Sequence, residues 1–69
     1  MKIFSERLNE LLKDNKVSKY KLAKDIGVSN QAICYWCDGT NEPKITYLVK
    51  IADYFGVCTD YLLGRQEYY

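Results

Sequence analysis

Gly27 separates two short segments whose apolar residues recur at helical spacing, and this junction constrains the fold of the 69-residue chain more than any other feature. Ala23 and Ile26 precede it on one helical face, and Ile33 and Trp36 follow it on another. Glycine at a helix end supplies the positive φ angle that a sharp reversal of the chain needs. The sequence therefore predicts two short helices packed across a tight turn.

Serines stand where each of these two helices would begin. Ser18 and Ser29 are suited to the N-cap position, where a hydroxyl accepts a hydrogen bond from a backbone N–H group. Ala23 is small enough for the two helices to cross closely. This arrangement is that of a helix-turn-helix, whose second helix enters the major groove of DNA.

Helical periodicity and turn residues divide the rest of the chain into further helices. Asn15 and Lys16 form the first break, because asparagine tolerates the left-handed conformation that ends helices. Five helices are predicted: from Phe4 or Ser5 to Asp14, from the Ser18 cap to Ile26, from the Ser29 cap to about Cys37, from Ile45 to Phe55, and from Thr59 to Leu63. The expected buried stripes are Phe4, Leu8, Leu11 and Leu12 in the first helix and Ile45, Leu48, Ile51, Ala52 and Phe55 in the fourth. We expect an all-α class with one domain at 1–64 and a short tail at 65–69.

The composition limits the classes of function that we expect for this chain. Hydrophobic residues make up 48% of the chain and charged residues 28%, which is typical of a folded domain. No signal peptide or membrane-spanning apolar run is evident, so we expect a cytoplasmic protein without a membrane partner. The chain has no histidine, no nucleophile–base pair and no phosphate-binding glycine loop. We expect no enzyme activity and no cofactor.

Three cysteines raise the question of metal or redox chemistry, because Cys34 and Cys37 form a CxxC pair. A structural zinc site needs four ligands, and without histidine only Cys58 remains as a third. We therefore expect no metal and favour ordinary packing thiols. A regulator that senses oxidation through Cys34 or Cys58 stays open as an alternative.

The polar residues of the third helix are candidates for reading bases. Asn30 and Gln31 lie in its first turn, and Tyr35 lies one turn beyond Gln31. Asparagine and glutamine can each form two hydrogen bonds with adenine. The alternative is that they are solvated residues after a cap. Lysines also crowd the preceding helix, although a solvated face explains them equally well and the net charge is only +1.

The motifs LAKDIGVSNQAICYW, DGTNEPKITYLVKIADYFGV and TDYLLG resemble the phage-repressor/Cro-like (XRE) family of helix-turn-helix proteins. The resemblance covers about Phe4 to Gly64. It implies a compact five-helix bundle of the lambda-repressor-like DNA-binding type, with the helix-turn-helix in helices 2 and 3. It also implies a homodimeric transcriptional repressor that binds double-stranded DNA at a near-palindromic operator. An antitoxin-like protein-interaction module is the alternative.

Site residues follow from the same resemblance. It implies base contacts by Asn30, Gln31 and Tyr35, and phosphate contacts by Lys19, Ser29, Asn41 and Lys44. For the dimer interface we expect Val57, Tyr61 and Leu62, since a small domain with seven tyrosines leaves some apolar surface exposed.

One departure from the family pattern concerns two positions that commonly form an ion pair between helices. Relatives carry an arginine late in the first helix and a glutamate just before the glycine after the recognition helix. Here the positions hold Leu12 and Cys37. Replacing a buried ion pair by apolar groups can be neutral or stabilising. We expect Leu12 and Cys37 to pack in the core as a substitute contact.

Overall fold

The computed structural model describes residues 2–68, and this range contains five α-helices and no strand. The helices are α1 (Lys2–Asp14), α2 (Lys19–Ile26), α3 (Asn30–Asp38), α4 (Ile45–Phe55) and α5 (Thr59–Leu62). The all-helical class and the order of the helices are confirmed. Three ends differ from the prediction, because α1 begins before Phe4, α3 includes Asp38, and α5 stops at Leu62.

The core is built around α1, which packs on α3 and α5. All four apolar residues predicted on its buried stripe are at most 6% exposed. From α2 and α3, Leu22, Ile33 and Trp36 join them. The apolar periodicity of the first three helices therefore specified the buried faces correctly.

The buried face of α4 differs from the prediction. Ile51 and Ala52 are buried, Leu48 and Phe55 are half-buried, and Ile45 is 79% exposed. Ile45 has nearly the same direction around the helix axis as Ala52, seven residues later. Its exposure therefore comes from its position at the start of α4, where it borders an open groove. Periodicity predicts the direction of a side chain and not whether a neighbouring element covers it.

The turn between α1 and α2 lies where predicted, but Lys16 rather than Asn15 adopts the left-handed conformation, with φ of 55°. The backbone N–H of Val17 donates to the carbonyl of Leu12 at 2.9 Å, which closes a Schellman-type turn around Lys16. Asn15 instead donates its side-chain amide to the carbonyl of Leu11 at 2.9 Å.

Arg7 connects α1 to α5 and to the residues that follow α5. Its Nη1 donates to the carbonyls of Tyr61, at 2.7 Å, and Gln66, and its guanidinium lies 4.2 Å from the centre of the Tyr61 ring. Gln66 of the predicted tail is thereby held against α1, and Tyr69 lies outside the described residues. No local sequence signal indicated this contact.

We expect Arg7→Ala to lower the free energy of unfolding by about 2 kcal/mol, because two carbonyls lose a charged donor. Urea denaturation should show a lower midpoint with an unchanged m-value. Arg65→Ala is the matched control, since Arg65 is exposed, and it should change stability by less than about 0.5 kcal/mol. Equal losses in the two variants would contradict the role of Arg7 as a tie between the two ends.

Candidate nucleic-acid interface

The α2–α3 junction has the geometry of a tight helix-turn-helix. Gly27 has φ of 80°, and its N–H donates to the carbonyl of Ala23 at 2.9 Å. A Cβ atom at Gly27 would meet nothing within 4 Å, so the backbone angle and not lack of space requires glycine. The predicted caps are confirmed: Ser18 Oγ accepts from the N–H of Lys21 at 3.0 Å, and Ser29 Oγ accepts from that of Ala32 at 3.1 Å.

α3 has a buried face and an exposed face. Ile33, Trp36 and Cys37 are at most 6% exposed, and the Trp36 ring lies 6.0 Å from that of Tyr47 on α4. The exposed face carries the three predicted base contacts, Asn30, Gln31 and Tyr35. This helix is therefore anchored along its apolar side and presents polar groups on the other.

Two polar pairs form along the exposed face of α3. Gln31 Nε2 donates to the Tyr35 hydroxyl at 2.7 Å, and Asn30 Nδ2 lies 4.0 Å from Cys34 Sγ. Both pairs are spaced by four residues, which places side chains next to each other on a helix. The hydrogen bond between Gln31 and Tyr35 was not predicted, although their spacing of four residues contained the signal.

The predicted phosphate contacts lie at the starts of α2, α3 and α4 and in the loop between α3 and α4. Lys19, Asn41 and Lys44 are exposed, and the hydroxyl of Ser29 acts as the α3 cap. Lys44 is the N-cap residue of α4 without a side-chain cap hydrogen bond. A cation there opposes the helix macrodipole. Within residues 2–68, neither Lys19 nor Lys44 forms an ion pair.

Lys21 differs from these lysines because it is paired. Its Nζ lies 3.0 Å from Asp25 Oδ2, and the same oxygen accepts a hydrogen bond from the Tyr54 hydroxyl of α4 at 2.7 Å. The Tyr54 hydroxyl and then Lys21 lower the pKa of Asp25, so this carboxylate stays ionised at neutral pH. The hydrogen bond to Asp25 raises the pKa of Lys21. This network connects α2 to α4 and partly neutralises Lys21.

The three thiols have different surroundings. Cys37 is buried, and this burial raises the pKa of its thiol. Cys34 and Cys58 are half-buried and free. Within residues 2–68, no group of three or more histidine, cysteine, aspartate or glutamate side chains is placed to hold a metal ion.

Leu12 and Cys37 lie in the same core cluster, each 6% exposed. The Asn9 side chain also donates to the carbonyl of Cys37 at 3.0 Å, which joins α1 to the end of α3. The burial of both residues agrees with the expected substitution of an ion pair by apolar packing. This contact of Asn9 was not predicted from the sequence.

The three residues expected at a dimer interface are buried within one chain. Leu62 has no exposed surface, Tyr61 is 6% exposed and Val57 is 8% exposed. That expectation is wrong as a surface assignment, because these side chains lie in the core of the chain itself. Their apolar character reflected packing of α5 on α1 and α4.

No helix in the described range has the length and apolar character needed to cross a membrane.

Known proteins share this fold and sequence pattern. A family model described as helix-turn-helix matches residues 8–62. An uncharacterized HTH-type transcriptional regulator, YqaE of Bacillus subtilis strain 168, is 31% identical over 65 residues, which are 94% of this chain and 56% of YqaE. The solution structure of an SOS-response transcriptional repressor, LexA from Eubacterium rectale, superposes with a TM-score of 0.84 at 37% identity. That match covers 87% of this chain and 64% of the LexA chain.

The chain thus spans less than two thirds of the length of both proteins. The family match covers both helices of the turn and most of the helices that support them. The chain belongs to the XRE-type helix-turn-helix family.

Proposed function

We propose that the chain is a sequence-specific repressor that occupies a near-palindromic operator as a homodimer. The observation that carries this proposal is the division of α3, whose apolar side is anchored in the core while Asn30, Gln31 and Tyr35 are exposed on the other. Such a helix presents its first turns to base edges in the major groove. In a two-fold dimer, two copies of α3 would enter successive grooves about 34 Å apart.

Charges around α3 support binding to the DNA backbone. Lys19 and Lys44 lie at the starts of α2 and α4, where backbone N–H groups also favour an anion. Asp38, the last residue of α3, is also exposed, and its negative charge opposes phosphate. We therefore expect modest affinity for each protomer, with dimerisation raising the overall affinity for a double site.

Selection of sites from random duplex DNA, repeated at two salt concentrations, tests the proposal. We expect an enriched inverted repeat whose binding weakens steeply with salt. Enrichment of a single half-site would contradict the homodimer. The absence of any enriched sequence would favour a protein-interaction module over an operator-binding repressor.

For the homodimer we propose an interface on α4, formed with a second copy of the chain. Ile45 is 79% exposed and Val49, one turn later, is 43% exposed. Ile45 lies at a mostly apolar groove, which it lines together with Phe4, Glu42, Pro43, Leu48 and Leu63. A protruding side chain next to a groove is self-complementary, because a two-fold axis can place each Ile45 in the groove of the partner.

Ile45→Asn should weaken dimerisation at least about tenfold, since each dimer loses two buried isoleucine side chains. Sedimentation equilibrium over a range of concentrations measures the dissociation constant. Thermal stability of the monomer should change little, because this side chain is exposed. Tyr20→Asn, at a 68% exposed tyrosine of α2, is the control and should leave the constant unchanged. A monomeric wild type would contradict the proposed interface.

A further inference from the structure

We propose that Tyr35 is a positioning residue that fixes the Gln31 side-chain amide and makes it select adenine over guanine. This inference rests on the proposed binding of α3 in the major groove. The observation behind it is the 2.7 Å hydrogen bond in which Gln31 Nε2 donates to the Tyr35 hydroxyl. Both side chains are exposed on α3, so the pair forms on the surface that is proposed to meet the bases.

The donors and acceptors of the pair explain the selectivity. A glutamine amide has two N–H donors and one carbonyl acceptor. In Gln31 one N–H is used by Tyr35, which leaves one donor and one acceptor. Adenine presents the matching pattern in the major groove, an acceptor at N7 and a donor at N6. Guanine presents two acceptors, at N7 and O6, and the remaining single donor cannot satisfy both.

The hydrogen bond also reduces the conformational cost of recognition. A free glutamine side chain loses rotamer freedom when it is held against a base. In Gln31 part of this freedom is already lost, because Tyr35 holds the amide before DNA arrives. Asn30 is held less firmly than Gln31, because its amide lies as far as 4.0 Å from the weakly accepting sulfur of Cys34. We therefore expect base preference to be sharper at the Gln31 position than at the Asn30 position.

Tyr35→Phe removes the hydroxyl and keeps the ring. Site selection and binding titrations should show the adenine-over-guanine preference falling about three- to tenfold at a single base position in each half-site. Affinity for random DNA and the thermal midpoint should stay unchanged. Tyr20→Phe is the matched control, because Tyr20 is an exposed tyrosine on α2 rather than on α3, and it should leave the preference intact.

Gln31→Ala identifies which base position belongs to Gln31. In that background, Tyr35→Phe should have no further effect on base preference, because the amide that Tyr35 positions is absent. A further effect would mean that Tyr35 contacts a base itself and would overturn the inference. An unchanged preference in Tyr35→Phe alone would overturn it while leaving DNA binding intact. If the wild-type protein selects no sequence, the proposed function and this inference both fail.

Discussion

Cys37→Glu should lower the free energy of unfolding by about 3–5 kcal/mol, the typical cost of an unpaired charge in a protein interior. Cys37 is 6% exposed, and burial already disfavours ionisation of its thiol. A domain of this size has a total stability of only several kcal/mol, so the variant should be largely unfolded at neutral pH. Circular dichroism without denaturant measures the folded fraction and hence the loss.

Adding Leu12→Arg to Cys37→Glu should recover a large part of this loss. Leu12 and Cys37 are equally buried in one cluster, and an arginine beside the glutamate would restore the ion pair that the resemblance assigns to these positions. Leu12→Arg alone is the second single variant of the cycle and should also destabilise. No recovery in the double variant would show that the two side chains do not face each other.

The pH dependence provides a further check on Cys37→Glu. Burial raises the pKa of a carboxyl group above its value in the unfolded chain. The folded state then binds more protons than the unfolded state, so the loss relative to wild type should shrink as pH falls below the folded-state pKa. In the double variant the arginine favours the ionised glutamate. The double variant should therefore show no gain in stability relative to wild type at low pH.

Replacing both Lys19 and Lys44 by alanine should weaken DNA binding about 10- to 100-fold at 0.1 M salt. Each lost phosphate contact should also reduce the slope of log affinity against log salt concentration by about 0.9. The loss should be similar for operator and random DNA, because phosphate contacts carry no direct sequence information. Titrations at several salt concentrations measure both quantities.

Lys21→Ala is the matched control for these lysines. Its charge is already paired with Asp25, so its removal should reduce affinity less than removal of Lys19. Lower stability of the Lys44→Ala variant would not explain its expected loss of DNA affinity. A cation at the start of α4 opposes the macrodipole, so Lys44→Ala should slightly stabilise the helix. A loss confined to the operator, or one of equal size in Lys21→Ala, would contradict the assigned role.

Features encoded by neighbouring residues were predictable from the sequence. The stripe on α1, the serine caps of α2 and α3, and the reversal at Gly27 depend on side-chain spacing and backbone geometry within a few residues. The exposed positions of Asn30, Gln31 and Tyr35 follow from the same periodicity, once Ile33 and Trp36 define the buried side of α3. Local patterns therefore sufficed for the helices and for the face proposed to read DNA.

Whether an element distant in the sequence buries a given side chain was not predictable in the same way. Ile45 and Tyr61 are both apolar residues on helices, yet one is 79% exposed and the other 6%. The difference depends on which element lies beside each residue. The contacts of Arg7 with Gln66 and of Tyr54 with Asp25 likewise join residues 59 and 29 positions apart.

The sequence determined the five helices, the tight turn at Gly27 and the polar face of α3, because each depends on interactions within one or two helical turns. Only the tertiary structure decided that Val57, Tyr61 and Leu62 lie in the core of the chain. It also decided that the Tyr54 hydroxyl of α4 donates to Asp25, which pairs with Lys21 one turn earlier in α2. These outcomes depend on how whole helices pack, and helical periodicity specifies the direction of a side chain without specifying its neighbour.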